Sequence, residues 1–305
     1  MSFLYLLEGL RNTVLDSLML VITTLGEETM FIIIGMLFFW CIDKYEGYYI
    51  LFTGFIGTVI NQFLKILCRV PRPWVKDPNF KPVEGAVEEA TGYSFPSGHT
   101  QSSVGSFGAI ARWNKDTLVR VLCIAACVLV PFSRMYLGVH TPQDVLVSVA
   151  IALALIFGLH PLVKRAEKNP KIMWSLIGVM FLISFSFLMF VSTYNFPVTL
   201  DGHNYMSALK NGYTLTGCVL GLGVVYFLDS RYIHFETKAV WWAQVLKLLG
   251  GTIIVFAIKE GLRVPLDTLC SGHLVARLIR YFLMVTVAGG VWPLTFKWFS
   301  RLGNK

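Results

Sequence analysis

Long apolar runs, each bounded by charged residues, prolines or glycines, recur along the whole of this 305-residue sequence. A helix that crosses a bilayer needs about 20 predominantly apolar residues. Hydrophobic residues make up 55% of the chain and charged residues only 14%, which suffices for about eight or nine spans and excludes a large soluble domain. The sequence therefore predicts an all-α fold, a polytopic bundle of membrane helices, in an integral multi-pass membrane protein.

The apolar runs predict nine spans. They cover residues 29–42, 47–68, 100–113, 118–132, 142–163, 172–194, 212–228, 239–258 and 274–299. A shorter run, 12–25, is followed by a glycine and two glutamates and is predicted to be an interfacial or re-entrant helix that leads into the first span. The connection 195–211 divides the chain into two predicted domains, 1–194 and 195–305, the second of which carries about three transmembrane helices.

The formal net charge is +8, but the basic residues are scattered and form no stripe, so anionic lipid headgroups are predicted partners and nucleic acid is not. When the spans are threaded alternately, four connections fall on one membrane face, which we call the polar-loop face. They are 65–96, 133–141, 195–211 and 259–273. The opposite face receives thirteen Lys and Arg residues, and the polar-loop face receives twelve. If Lys65, Arg72 and Arg134 are set aside for function, nine remain on the polar-loop face. The positive-inside rule then places the polar-loop face outside the cytosol.

A first polar cluster lies on this face, where a span runs out at Pro71 and leaves Lys65 and Arg72 near its end. Cations at the end of a span typically snorkel to the headgroup region. Lys65, however, lies three residues short of the predicted helix end, deep enough for a partner anion to stabilise it.

A second cluster consists of Ser97, Gly98 and His99, just ahead of a predicted helix. Ser97 is a good N-cap, and Gly98 allows a ligand to approach the backbone closely. The first free amides of the helix, together with its dipole, then favour an anion. Taken alone, the cluster is also an ordinary helix start.

A third cluster spans Arg134, His140 and Asp144. Thr141 is a predicted cap of a helix that has Pro142 at its first position, which places Asp144 in the first turn and on the same side as His140. A carboxylate within reach of an imidazole fixes its tautomer and stabilises its cation. Taken alone, the pattern also fits a capping box beside an incidental histidine.

Together the three clusters supply two histidines, one carboxylate, three cations and a helix N-terminus. No cysteine or acidic cluster has the spacing of a metal site, so neither a metal nor another cofactor is predicted. The inventory fits a phosphate ester, because phosphoryl transfer without a metal needs cations for the oxygens, a nucleophile and an acid for the leaving group.

The three clusters resemble the signature motifs of the type 2 phosphatidic acid phosphatase superfamily, the lipid phosphate phosphatases, a set that glucose-6-phosphatase and the vanadium-dependent haloperoxidases share. The resemblance implies a six-helix core over roughly residues 12–194 and leaves the remaining spans unassigned. The matching stretches are Lys65-x6-Arg72-Pro73, Pro96-Ser97-Gly98-His99 and Ser133-Arg134-x5-His140-x3-Asp144.

By this resemblance His140 is the nucleophile that forms a phosphohistidine and Asp144 orients it. His99 protonates the departing alkoxide and then activates water. The groups expected to bind the phosphate oxygens are Lys65, Arg72, Ser97, Gly98 and Arg134.

The leading hypothesis is therefore a membrane phosphatase that hydrolyses a lipid phosphate monoester or a lipid diphosphate without a metal. A site at the ends of spans lies at headgroup level, so the lipid tail can stay in the bilayer. One alternative is a phosphatase for a soluble ester such as a sugar phosphate. Another is a transporter or flippase that binds phosphate in the same basic pocket without cleaving it. The sequence leaves open the particular lipid, the oligomeric state and the role of residues 195–305.

Overall fold

The fold, taken from a computed structural model that describes residues 1–88, 90, 92–194, 196 and 202–302, is built from helices. No β-strand occurs in these residues, which confirms the predicted all-α class. The helices are α1 (Ser2–Glu8), α2 (Thr13–Thr24), α3 (Glu28–Leu37), α4 (Lys44–Cys68), α5 (Pro73–Lys76), α6 (Glu84–Val87), α7 (Gly98–Trp113), α8 (Thr117–Tyr136), α9 (Pro142–Ala166), α10 (Pro170–Thr193), α11 (Gly202–Leu228), α12 (Trp241–Gly261), α13 (Arg263–Leu269), α14 (Val275–Thr286) and α15 (Phe296–Phe299).

The helices of the described residues include seven that are long and apolar enough to cross a membrane. They lie within Lys44–Lys76, Thr117–Tyr136, Pro142–Ala166, Pro170–Thr193, Gly202–Ile233, Trp241–Leu269 and Val275–Phe299. An eighth span results if Thr13–Thr24 and Glu28–Ile42, which meet at a 48° bend, count as one broken span. The shorter helix predicted at 12–25 is therefore α2, and the bend at its end fits either a broken span or a re-entrant loop.

One predicted span corresponds to a helix that is shorter than these seven. The run 100–113 forms α7, which has 16 residues and so extends over about 24 Å at 1.5 Å per residue, less than the ~30 Å hydrocarbon core. Its buried positions include Thr100, Gln101, Ser103 and Ser106. By length the count is therefore seven, or eight with the bent pair, against the nine predicted, and α7 accounts for the difference, since it is short and packs a polar face inside the protein.

The chain forms two compact units that interleave along the sequence. The first unit comprises Met1–Ile32, Tyr49–Pro161 and Phe196–Ala208, and the second comprises Ile33–Tyr48, Leu162–Asn195 and Leu209–Lys305. Part of the connection 195–211, on which the predicted domain boundary falls, lies outside the described residues, and the division into 1–194 and 195–305 stays a prediction.

In the first unit, a hydrophobic cluster holds the loop between α8 and α9 in place. Leu137 and Val139 of this loop are completely buried and pack with Leu7, Met19 and Ala86, which come from α1, α2 and α6. The Leu137 carbonyl also accepts a hydrogen bond of 3.0 Å from the Val83 amide. The loop that carries His140 is therefore supported from several helices.

The second unit has its own core, with close helix packing and buried polar contacts. Gly217 lets α11 approach α14 closely, since a Cβ there would lie 2.3 Å from the Leu278 carbonyl oxygen. Lys44 and the buried Asp229 form an ion pair of 2.7 Å. Lys247, inside a predicted span, donates a 2.9 Å hydrogen bond to the Thr237 carbonyl.

Candidate active site

The polar clusters that the sequence singled out meet in the first unit, at one end of its long helices. Lys65 lies in the last turn of α4, Arg134 in the last turn of α8 and Asp144 in the first turn of α9. Two direct contacts join the clusters: Arg72 reaches His140, and the Ser97 amide donates a 3.2 Å hydrogen bond to the Asp144 carbonyl oxygen.

The start of α9 holds Asp144 next to His140. The Thr141 amide donates to Asp144 Oδ2 at 2.8 Å, and the Asp144 amide donates to Thr141 Oγ1 at 3.4 Å, so the predicted reciprocal cap is confirmed. His140 Nδ1 lies 3.5 Å from Asp144 Oδ2. This separation is long for a hydrogen bond, and such contacts commonly shorten when substrate binds.

The tautomer of His140 follows from its other neighbour. Arg72 Nη1 lies 3.0 Å from His140 Nε2, and a guanidinium can only donate, so Nε2 accepts and the imidazole proton resides on Nδ1, facing Asp144. Arg72 also donates to the Val139 carbonyl at 2.9 Å and to the Gly92 carbonyl at 3.1 Å. The unprotonated Nε2 of His140 therefore points toward a fixed cation, where a phosphate group would be bound.

Both histidines lie outside the spanning helices and are surrounded by cations. Burial, followed by the charges of Arg72, Arg134 and Lys65, holds the pKa of His140 well below its usual range. Burial and the same three cations, Arg134 foremost among them, lower the pKa of His99 in the same way. At neutral pH the free site therefore holds two neutral imidazoles, and a bound phosphate dianion would raise both pKa values by offsetting the cations.

The start of α7 leaves room for a ligand. Ser97 caps the helix, since its Oγ accepts a 3.4 Å hydrogen bond from the Thr100 amide, as predicted. A Cβ placed on Gly98 would meet no heavy atom of the described residues within 4 Å, apart from its immediate chain and helix neighbours. His99 Nε2 is buried and has no hydrogen-bond partner among the described residues. The open backbone at Gly98 thus adjoins an imidazole that is ready to exchange a proton.

The remaining two cations are buried and held by neutral oxygens. Lys65 Nζ donates to the Tyr93 carbonyl, and Arg134 Nη1 donates to Thr23 Oγ1 at 2.7 Å. Arg134 is 1% exposed and Lys65 6% exposed. Burial makes a charge costly and an added opposite charge offsets that cost, so these two side chains suit a site that receives an anion.

Sequence reasoning missed two residues of this site. Ser94 Oγ donates a 2.6 Å hydrogen bond to Asp144 Oδ2, and Thr23 contacts Arg134 across 111 positions. Ser94 lies three residues before Ser97, and this proximity was a weak indication in the sequence that it belongs to the site. Thr23 sits inside an apolar run, and nothing in the sequence around it distinguishes it.

No group of three or more His, Cys, Asp or Glu side chains capable of holding a metal occurs among the described residues. Besides Asp144, the charged groups around the histidines are the side chains of Lys65, Arg72 and Arg134, which favour an anion over a metal cation.

Two family models match the chain. The PAP2 superfamily model covers residues 46–168, a range that includes all eight predicted site residues. A second model, the transmembrane extension of PAP2 superfamily phosphatases, covers residues 213–305. No solved structure gave a significant match.

Curated relatives agree with the family models. An undecaprenyl-diphosphatase of Bacillus subtilis is 30% identical over 151 residues, which are 48% of this chain and 74% of the relative. Phosphatidylglycerophosphatase B of the same organism is 29% identical over 177 residues, 53% of this chain and 80% of the relative. An undecaprenyl-diphosphatase of Sulfolobus acidocaldarius is 30% identical over 135 residues, which are 43% of this chain and 63% of the relative. With its membrane helices and these matches, the chain belongs to the PAP2 superfamily of membrane phosphatases.

Proposed function

We propose that the protein removes phosphate from a lipid phosphate monoester or a lipid diphosphate, without a metal, through a phosphohistidine on His140. The observation that carries this proposal is the position of His140 between Arg72 and Asp144, with Nε2 unprotonated and Nδ1 facing the carboxylate. This arrangement is that of a nucleophile whose cation is stabilised as it forms.

In the first step, the substrate phosphate binds among the three cations and the start of α7. His140 Nε2 then attacks phosphorus, the bond to the leaving oxygen breaks, and Asp144 stabilises the positive imidazole. His99 donates a proton to the leaving oxygen. Because the bound phosphate raises its pKa, His99 acquires that proton only when the site is occupied.

In the second step, water attacks the phosphohistidine, and the bond between phosphorus and Nε2 breaks with its electron pair returning to nitrogen. His99, now neutral, takes a proton from the attacking water. Inorganic phosphate leaves, and because the departing anion no longer raises the pKa of His99, the imidazole releases its proton and the site returns to its starting state.

Two observations favour a lipid substrate. The relatives named as undecaprenyl-diphosphatase and phosphatidylglycerophosphatase act on lipids, and the site lies at the ends of α4, α8 and α9, helices long enough to span a bilayer. A headgroup can reach the cations from there while its tail stays in the membrane.

The substrate class is tested by measuring phosphate release from four lipids and one sugar phosphate side by side. The lipids are phosphatidic acid, phosphatidylglycerophosphate, a sphingoid-base phosphate and a polyprenyl diphosphate. At least one lipid should be turned over with kcat/KM about 10²-fold or more above that of glucose 6-phosphate, since tail binding holds the phosphate in place. Equal rates on short soluble esters would favour the sugar-phosphatase alternative. Lipid or phosphate flux in proteoliposomes without hydrolysis would favour a transporter.

Phosphate release should be unaffected by EDTA and inhibited by vanadate. The site offers cations to the phosphate oxygens, a role that a metal fills in a metallophosphatase. The measurement is initial rate in chelator-treated protein, before and after magnesium or zinc is added back. Activity that disappears in EDTA and returns with either metal would contradict the mechanism.

We further propose that the site faces away from the cytosol, and cysteine labelling in intact cells tests this. Asn79→Cys and Asn204→Cys should react with a membrane-impermeant maleimide, whereas Lys115→Cys should react only after permeabilisation. Cys68 is exposed and lies near the site, so the variants belong in a Cys68→Ser background. Labelling of Lys115→Cys alone in intact cells would reverse the orientation.

A further inference from the structure

Two buried amide side chains beside the active site have no hydrogen-bond partners in the part of the chain that the structure describes. Both polar atoms of Asn61 and both of Gln101 are unpartnered among the described residues, as is Thr100 Oγ1. Asn61 and Gln101 are each 1% exposed and Thr100 is fully buried. Since a buried polar group without a partner is unfavourable, a set of five such atoms in one place indicates a site that binds something polar.

The packing of α4 against α7 places these groups directly below the phosphate site. A Cβ on Gly57 would lie 2.2 Å from Gln101 Nε2, so the absence of a side chain at Gly57 makes room for this amide. One helical turn away, a Cβ on Gly105 would contact Thr53 Cγ2 at 3.5 Å. The two helices therefore run antiparallel, with position 57 opposite 101 and position 53 opposite 105.

The same register continues toward the active site. It places Asn61 opposite Ser97, the cap of α7, and Lys65 opposite Tyr93, whose carbonyl Lys65 contacts. Asn61 lies one helical turn before Lys65 on the same face of α4. Gln101 and Thr100 directly follow His99 in α7, so the unpartnered groups adjoin His99.

The chemistry of these groups favours water over phosphate. Carboxamides and a hydroxyl offer donors and acceptors in similar number and carry no charge. A second phosphate group would require cations, and this set of polar groups contains none. A buried water typically makes about three hydrogen bonds to such groups.

We propose that Asn61 and Gln101 are positioning residues that hold the water used to hydrolyse the phosphohistidine. The proposal rests on the proposed function and concerns its second step only. The held water forms its oxygen–phosphorus bond opposite His140 and gives one proton to His99 Nε2. The bond between phosphorus and His140 Nε2 breaks, and its electron pair returns to the nitrogen.

The test is rapid-quench kinetics on Asn61→Leu and Gln101→Leu in detergent-solubilised full-length protein, with a substrate that has a phenolate leaving group. The phosphoenzyme is measured by alkaline quench and mass spectrometry. Each variant should form it at a rate within about threefold of the native protein and hydrolyse it about tenfold more slowly. The phosphoenzyme should therefore accumulate, an outcome that a merely structural role does not produce.

A matched pair of glycine variants moves the Gln101 amide without removing it. Gly57→Ala collides with Gln101 Nε2 and should slow hydrolysis of the phosphoenzyme, whereas Gly105→Ala meets only ordinary contacts of 3.5 and 3.9 Å and should not. The glycine pair still tests the proposal if a leucine variant fails to fold. Thr53→Val is a further control, because the Thr53 hydroxyl is already bound to the Tyr49 carbonyl.

The outcomes separate the two proposals. Wild-type rates of hydrolysis in Asn61→Leu, Gln101→Leu and Gly57→Ala would overturn the water site and leave the phosphohistidine mechanism intact. Equal losses in both steps would also overturn it, since they indicate a role in phosphate binding or packing. A native protein that forms no phosphoenzyme at all would instead overturn the proposed function, and the water site with it.

Discussion

His140→Ala is expected to abolish phosphatase activity and the covalent intermediate together. The substitution removes the imidazole between Arg72 and Asp144, the group that we propose accepts the phosphoryl group, so the two-step route is lost. By comparison with other enzymes that lose a nucleophile, turnover should fall by about 10⁴-fold or more. Phosphate release is measured at steady state, and the phosphoenzyme by alkaline quench and mass spectrometry, because phosphohistidine is acid-labile.

Two further variants test whether His140→Ala loses activity because the nucleophile is gone or because the structure is disturbed. Asp144→Asn should retain intermediate activity, because the imidazole keeps its place but loses the charge that stabilises its cation. His160→Gln replaces a histidine of the same unit that packs against Tyr49 and Trp113, and it should leave the phosphoenzyme unaffected. A phosphoenzyme that still forms in His140→Ala would identify another nucleophile.

The local features of the site could be predicted because they depend on short-range sequence rules. The cap formed by Thr141 and Asp144 and the cap formed by Ser97 follow from residue types three positions apart. The proximity of His140 to Asp144 follows from the first turn of α9. The apolar runs likewise located the long helices, because bilayer thickness dictates their length.

The features that sequence reasoning missed depend on contacts between distant segments. Arg72 donates to His140 across 68 positions, a contact that fixes the tautomer and that the spacing of the motifs does not reveal. Ser94 and Thr23 support Asp144 and Arg134 through the tertiary fold. The polar face of α7 was not predicted either, since hydropathy along one helix does not show that Gln101 packs over Gly57.

His99→Ala is expected to impair natural lipid substrates far more than activated ones. A lipid alkoxide is a poor leaving group, so losing the acid that protonates it should lower turnover by about 10²-fold or more. The charges that bind phosphate remain, since Lys65, Arg72 and Arg134 keep their own hydrogen bonds. KM for the lipid should therefore change much less than kcat.

An activated phenolate leaves without protonation, so its phosphorylation step should be largely preserved in His99→Ala. Hydrolysis of the phosphoenzyme should still be slow, because the variant also lacks the base that activates water, and the phosphohistidine should accumulate. The experiment compares burst amplitude and steady-state rate for a lipid phosphate and an aryl phosphate in the same preparation. If His99→Ala loses both substrates equally and accumulates no phosphoenzyme, then His99 is not the acid and base, and that role must be assigned to another group that faces His140.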